Sequence, residues 1–184
     1  MGRLIVVQFI TLDGVVEDPD GRDGTAFGGW AFRFGPEGIA GDKFHLGDVM
    51  TDGTLLLGRI TWEAFSKLWP FRDNEFAQAM NAARKAVVTH RPIDAAQWAN
   101  SAAVAGELVP WVRETLQTRD IAVIGSGSVV AQLADADLVD EYRLITFPDA
   151  VGAGRRLFPE GARLTLQSAE ATVPGVYAVY NARG

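Results

Sequence analysis

Residues 121–133, Ile-Ala-Val-Ile-Gly-Ser-Gly-Ser-Val-Val-Ala-Gln-Leu, decide how the rest of the chain is read. Ile121 to Ile124 make a short apolar strand. It ends at Gly125-Ser126-Gly127-Ser128, and the helical pattern VVAQLADA follows at once. A strand running through glycines into a helix belongs to an α/β architecture, in which helices return the chain between parallel strands. The glycines let backbone approach an anion closely. The helix start supplies free N–H groups and the positive end of its dipole. Ser126 and Ser128 add hydroxyl donors. The same residues suit a plain tight turn, and Val130 stands where the dinucleotide fingerprint has its third glycine.

Two other strand ends have related chemistry. Thr54 to Leu57 reads as a strand running into Gly58-Arg59-Ile60-Thr61 and the helix-like WEAFSKLW, which Pro70 stops. Arg59 can grip a phosphate in bidentate fashion, or be a surface arginine beside an N-cap, Thr61. Lys85 to Thr89 is a strand ended by His90-Arg91-Pro92. The hydroxyl of Thr89, the imidazole of His90 and the guanidinium of Arg91 suit the 2′-phosphate of NADP, or form an ordinary polar turn. Ligands in open α/β sheets gather at the carboxyl ends of strands, where all three candidates lie.

The remaining pattern completes the sheet. Leu4 to Thr11 is a β-branched strand closed by Asp13-Gly14. Residues 17–37 are rich in Gly, Asp and Pro yet carry Phe27, Trp30, Phe32 and Phe34, which a solvated linker would not need. Ile39 to Met50 predicts a helix, Phe76 to Arg84 another, and Glu107 to Gln117 a third with Pro110 in its first turn. A weak strand is expected from Trp98 to Val104 and a longer one from Val139 to Phe147. Arg163 to Ala171 and Val176 to Ala182 pair as a hairpin about Pro174-Gly175. The expectation is a single α/β domain over residues 1–184, its central sheet mainly parallel with an antiparallel C-terminal hairpin.

Composition narrows the functions. The 184 residues carry 23 Asp and Glu against 17 Lys and Arg, a net charge of −6, which speaks against a general nucleic-acid or anionic-membrane binder. There is no cysteine, hence no disulfide, thiol nucleophile or thiolate metal site. With two histidines, His45 and His90, a three-histidine zinc site is impossible, and no metal is expected. The first apolar run is too short to span a bilayer and lacks a cleavage site, so a cytoplasmic protein is expected.

Five stretches in order, TLDG at the end of the first strand, LLLGRITWEAF, VVTHRP, IGSGSVVAQL and LVDEYRLITFPDAVGAGRRLF, resemble the dihydrofolate reductase superfamily. Within it, they look like the branch of the C-terminal reductase domain of riboflavin biosynthesis. The resemblance covers nearly the whole chain. It implies a dihydrofolate-reductase-like three-layer fold, NADPH as hydride donor and a homodimer. It also implies that Gly58, Arg59 and Thr61 touch the cofactor phosphates. Thr89, His90 and Arg91 would hold the adenosine 2′-phosphate, and Gly125, Ser126, Gly127, Ser128 and Val129 would cradle the diphosphate. The first predicted helix carries Asp42 and Asp48 without the local motif that holds the pterin in dihydrofolate reductase proper, which argues against dihydrofolate as substrate. The deaminase half fused to some riboflavin reductases is absent from these residues.

The expected activity is therefore hydride transfer from NADPH to a small heterocyclic or carbonyl substrate such as a pterin or flavin precursor. A non-catalytic dinucleotide- or flavin-binding sensor of the same fold is the alternative. Asp13 is the candidate proton donor if partial burial raises its pKa; otherwise it bonds turn amides. Trp30 is a candidate lid over the substrate, or a core plug. Asp48 is a candidate substrate contact, able to pair with His45 on one helix face, or a solvated helix position. Asp140 and Glu141 point to opposite faces of a strand and read as solvation or interface residues, and Arg155 and Arg156 as balance for the acidic surface.

Overall fold

A computed structural model describes residues 1–182. Its strands are β1 (Leu4–Thr11), β2 (Thr54–Gly58), β3 (Arg84–Val88), β4 (Ser101–Ala103), β5 (Ile121–Ile124), β6 (Glu141–Phe147), β7 (Thr165–Ala171) and β8 (Val176–Asn181). Its α-helices are α1 (Gly47–Asp52), α2 (Arg59–Ser66), α3 (Glu75–Ala82), α4 (Leu108–Thr115) and α5 (Gly127–Asp135). Hydrogen bonding orders the strands β4-β3-β2-β5-β1-β6-β8-β7, a mixed sheet whose C-terminal strands are antiparallel. Two compact units divide the chain, and β1 contributes to both: Met1–Val6 to one, its continuation from Val7 to the other. Among the described residues no helix is long and apolar enough to cross a membrane.

The first unit adds His45–Val139 to the N-terminus. Its strands β2, β3, β4 and β5 pair in parallel, with Leu56 between Ala86 and Val123 and Gly58 opposite Val88. Leu55, Leu56, Leu57, Val87, Ile121, Ala122 and Val123 are fully buried, which is why these runs are apolar without alternation. Trp62 and Trp98 fill the space beside them, their indole N–H groups donating to Ser101 Oγ at 2.9 Å and Asn81 Oδ1 at 2.7 Å.

The second unit runs from Val7 to Phe44 and from Asp140 onward. Its β6, β8 and β7 form an antiparallel meander with Tyr142 opposite Tyr180 and Ile145 opposite Tyr177. Trp30, Ala31, Ile145, Phe147 and Tyr177 make its core, with Phe9, Phe34, Ile39 and Phe44 packed against them. Phe147 takes edge contacts from Phe9 and Trp30, at 5.1 and 5.6 Å between centroids. Strand β7 is exposed along its whole length.

The helix expected over Ile39 to Met50 is much shorter. A 3-10 turn occupies Pro36–Gly38, and α1 starts only at Gly47. Gly41 at φ 75° and His45 at φ 52° are left-handed, a conformation that no helix continues through. His45 therefore precedes the helix that carries Asp48. The weak strand near Trp98 contracts to Ser101–Ala103.

Candidate functional site

Because β2, β3 and β5 are adjacent and parallel, their carboxyl ends bring Gly58, Thr89 and Gly125 to one edge of the first unit. Glycine eases close approach there. A Cβ on Gly58 would meet Ser126 Oγ at 3.2 Å and Cβ at 3.3 Å, and Gly125 sits at φ 58° with the Thr61 side chain beside it. Ser126, also at φ 58°, stands before the first turn of α5 without capping it. The amides of Gly127 and Ser128 keep the open, positive character of a helix start. Val129 N instead returns to Ser126 O at 2.8 Å, and its side chain is buried.

Arg59 opens α2 and fans out over the neighbouring turn. Its Nη1 donates to Thr89 Oγ1 at 3.1 Å, Arg91 O at 3.2 Å and Pro92 O at 3.0 Å, while Nε donates to Glu63 Oε1 at 2.6 Å. Thr89 Oγ1 in turn accepts from Arg91 N at 3.1 Å. The β3 turn is thus held in shape from the β2 turn, and His90 and Arg91 carry exposed side chains on it. The hydroxyl of Ser126 is not turned outward as expected. It accepts from Gly58 N at 2.7 Å and reaches Thr61 Oγ1 at 3.1 Å and Ile124 O at 3.0 Å. This edge has what a diphosphate needs: open amides, backbone without Cβ atoms and exposed cationic side chains.

Three candidates of the sequence take other places. Asp13, in the second unit, accepts from Thr11 Oγ1 at 2.5 Å and Gly152 N at 2.7 Å, with Val151 N at 3.3 Å. The Thr11 hydroxyl first, then the Gly152 amide, hold its carboxyl below the ordinary range, opposite to the rise that a proton donor needs. Asp13 binds turn amides as an ionised acceptor, and those amides belong to the 151–152 turn as well as its own region. Trp30 is completely buried within its unit, its Nε1 donating to Glu17 O at 2.9 Å, so it plugs the core and is no lid. Asp48 is exposed on α1 and shares a shallow depression with Asp52, Gly53, Arg119 and Asp120. Gly53 and Asp120 lead into β2 and β5, so this depression lies at the opposite strand ends from Gly58 and Gly125. Asp48 therefore does not lie at the edge formed by Gly58 and Gly125.

Other polar residues find partners that the sequence does not show. Lys85 is buried; its ammonium donates to the carbonyls of Met80, Asn81 and Ala83 at 2.7–3.0 Å and lies 4.5 Å from the Trp98 ring centroid. Burial lowers its pKa to about 8. Glu141 is buried and paired with Arg143 Nε at 2.6 Å, a buried ion pair instead of strand-start solvation. Arg143 also donates to Phe44 O at 2.9 Å. Asp18 is buried at φ 50° and accepts from Asp23 N, Thr25 N and Thr25 Oγ1, closing the glycine-rich loop on itself. Burial pushes its carboxyl up, but those donors outweigh it and leave it below the usual value. Arg155 and Arg156 are exposed; Arg155 N donates to Glu17 Oε2 and Arg156 Nε to Asp13 O. A spacing argument cannot find such groups, because their partners come from folding.

The parallel strand ends, the glycines and the uncapped helix start define an α/β protein with a glycine-lined sheet edge. The profile of the RibD C-terminal domain matches residues 3–178. Among solved structures, one from Shewanella sp. PV-4, provisionally named a riboflavin biosynthesis protein, superposes with a TM-score of 0.67 at 19% identity, covering 99% of each chain. A pyrimidine reductase-like protein from Corynebacterium diphtheriae superposes with a TM-score of 0.63 at 12% identity, covering 100% of this chain and 92% of its own. No curated protein matches significantly in sequence. The chain belongs to the RibD C-terminal domain family, whose reductases have the dihydrofolate-reductase-like fold.

Proposed function

We propose that the protein is an NADPH-dependent reductase of a small heterocyclic or carbonyl compound, with a flavin or pterin precursor as the favoured class. One observation carries this reading: three neighbouring strand ends of a parallel sheet meet at one edge, joined by Arg59 and Ser126. In it, Gly125, Gly127, Ser128 and Val129 surround the diphosphate with backbone, and Gly58, Arg59 and Thr61 close the other side. Thr89, His90 and Arg91 receive the 2′-phosphate, where the turn held by Arg59 presents a cation without further ordering.

NADPH, when bound, supplies the hydride for a C=O or C=N carbon. The chain's share is to fix the cofactor and keep water from it, which suits a chemistry that needs positioning more than covalent help. Asp13 keeps its charge and holds the 151–152 turn. We read residues 1–184 as one functional domain and place the protein in the cytoplasm as a homodimer. An edge strand as exposed as β7 supports the dimer, since such edges ordinarily acquire a cover.

The test pairs calorimetry with absorbance. Purified protein should take up NADPH more tightly than NADH, and the preference should fall about 10-fold or more in His90→Ala/Arg91→Ala, given the strength of charge-assisted phosphate contacts. NADPH absorbance should then decay with one member of a panel of ribitylamino-pyrimidines, pterins and carbonyls. Uptake without oxidation across the panel would favour a sensor; no uptake at all ends the reading.

A further inference from the structure

Ser126 is unusual in two independent ways. It adopts φ 58° and ψ 53°, a left-handed conformation in which a side chain is disfavoured and which glycine would fill freely. It also occupies the N-cap of α5, the place where serine normally bonds its own helix, yet makes no capping bond. Its side chain is engaged elsewhere. Oγ accepts from Gly58 N at 2.7 Å, and its single proton has Thr61 Oγ1 at 3.1 Å and Ile124 O at 3.0 Å to choose from.

We infer that Ser126 is a positioning residue: its hydroxyl fastens the β2–α2 turn to the β5–α5 turn and thereby holds in register the two turns that flank the cofactor diphosphate. The hydroxyl has one proton, already claimed inside the protein, so none remains for a phosphate oxygen. Had the side chain capped α5, it would have competed with an anion for the first amides of that helix. Turned away, it leaves them open and gives the Gly58 amide an acceptor. Glycine at 58 is what admits it, since a Cβ there would press on Ser126 Oγ and Cβ. The inference rests on the nucleotide reading proposed above, but its local half, the bond to the Gly58 amide, stands apart from any ligand.

The decisive variant is Ser126→Gly, because glycine removes the hydroxyl and also relieves the left-handed strain. A serine of no consequence would give a protein as stable as the wild type or more so, with unchanged properties. Amide exchange at Gly58, followed by NMR on the whole protein, reads the fastening directly; calorimetry with NADPH reads its effect on the site. The expected result is Gly58 exchange about 10-fold faster or more and NADPH affinity about 10-fold weaker, the scale of one lost hydrogen bond, with a thermal midpoint that does not fall. Ser126→Cys, which keeps the shape and loses the strong acceptor, should show the same two changes and serves should the glycine variant misfold. Unchanged Gly58 exchange overturns the inference, as does faster exchange with unaltered NADPH affinity. If wild-type protein takes up no NADPH, the functional reading fails and the positioning role with it, while Gly58 exchange still decides whether the fastening exists.

Discussion

Asp13 shows how its surroundings set the function of a carboxylate. A hydroxyl and a backbone amide stabilise its charged form, so it is ionised wherever an enzyme of this kind would work. The pH–rate profile of Asp13→Asn should therefore keep its shape, even if the rate falls because the 151–152 turn loosens. Loss of a titrating limb would return Asp13 to the proton path. Asp18 is a structural counterpart. Its buried carboxylate satisfies two backbone amides and a hydroxyl, and Asp18→Ala leaves them stranded at a left-handed position. Urea denaturation should show a loss of about 2–4 kcal/mol. Lys85 gives a pH signature of definite sign. Its folded pKa, about 8, lies below the ordinary 10.5, so between those values the unfolded chain binds more protons. Stability should rise as the pH climbs from 8 to 10.5, by up to about 3 kcal/mol, relative to Lys85→Met measured over the same range. A flat difference would mean that the ammonium's three carbonyl partners hold its pKa near normal.

The elements around the candidate edge depend on one another. Turn 89–92 has its own bond from Arg91 N to Thr89 Oγ1, and Arg59 Nη1 braces it from outside through Thr89 Oγ1 and two carbonyls. Lysine cannot reproduce this fan together with the bond to Glu63, since it lacks the planar fork of donors. Arg59→Lys should weaken NADPH about 10-fold or more and remove much of the preference over NADH, as measured by calorimetry. An unaltered preference would mean that the turn holds itself. Helix α2 begins at Arg59, three residues ahead of the apolar stretch that betrays it, because Gly58 is extended at φ −69° and ψ 157° and the strand turns there. In the 36–50 stretch the apolar spacing favours a helix, but the glycines and left-handed His45 break it. Periodicity registers apolar surface and is blind to a sign change in φ.

For the molecule as a whole, the proposed dimer makes a claim about mass. Light scattering should return twice the chain mass, and Leu166→Asp, on the exposed β7, should return the monomer with its fold intact by circular dichroism. A monomer in the wild type would leave β7 as a tolerated edge, protected by its bulge between Leu166 and Ser168. Strands β1 and β5 were readable to the residue, because strands buried on both faces are dominated by apolar residues, only Gln8 and Thr11 interrupting β1, and a glycine follows each. The α/β class, the three strand-end motifs and the absence of thiol chemistry were equally open to reading, since each follows from local composition. Pairing was not. That Arg59 reaches the next turn, that Ser126 bonds Gly58, that Trp30 lies in a core and Asp48 at the far strand ends, all depend on which side chains meet across 13 to 68 residues of chain. Local sequence governs backbone preference and the burial of each face, but the energy of a polar group depends on the partner it finds, and only the folded chain supplies that partner.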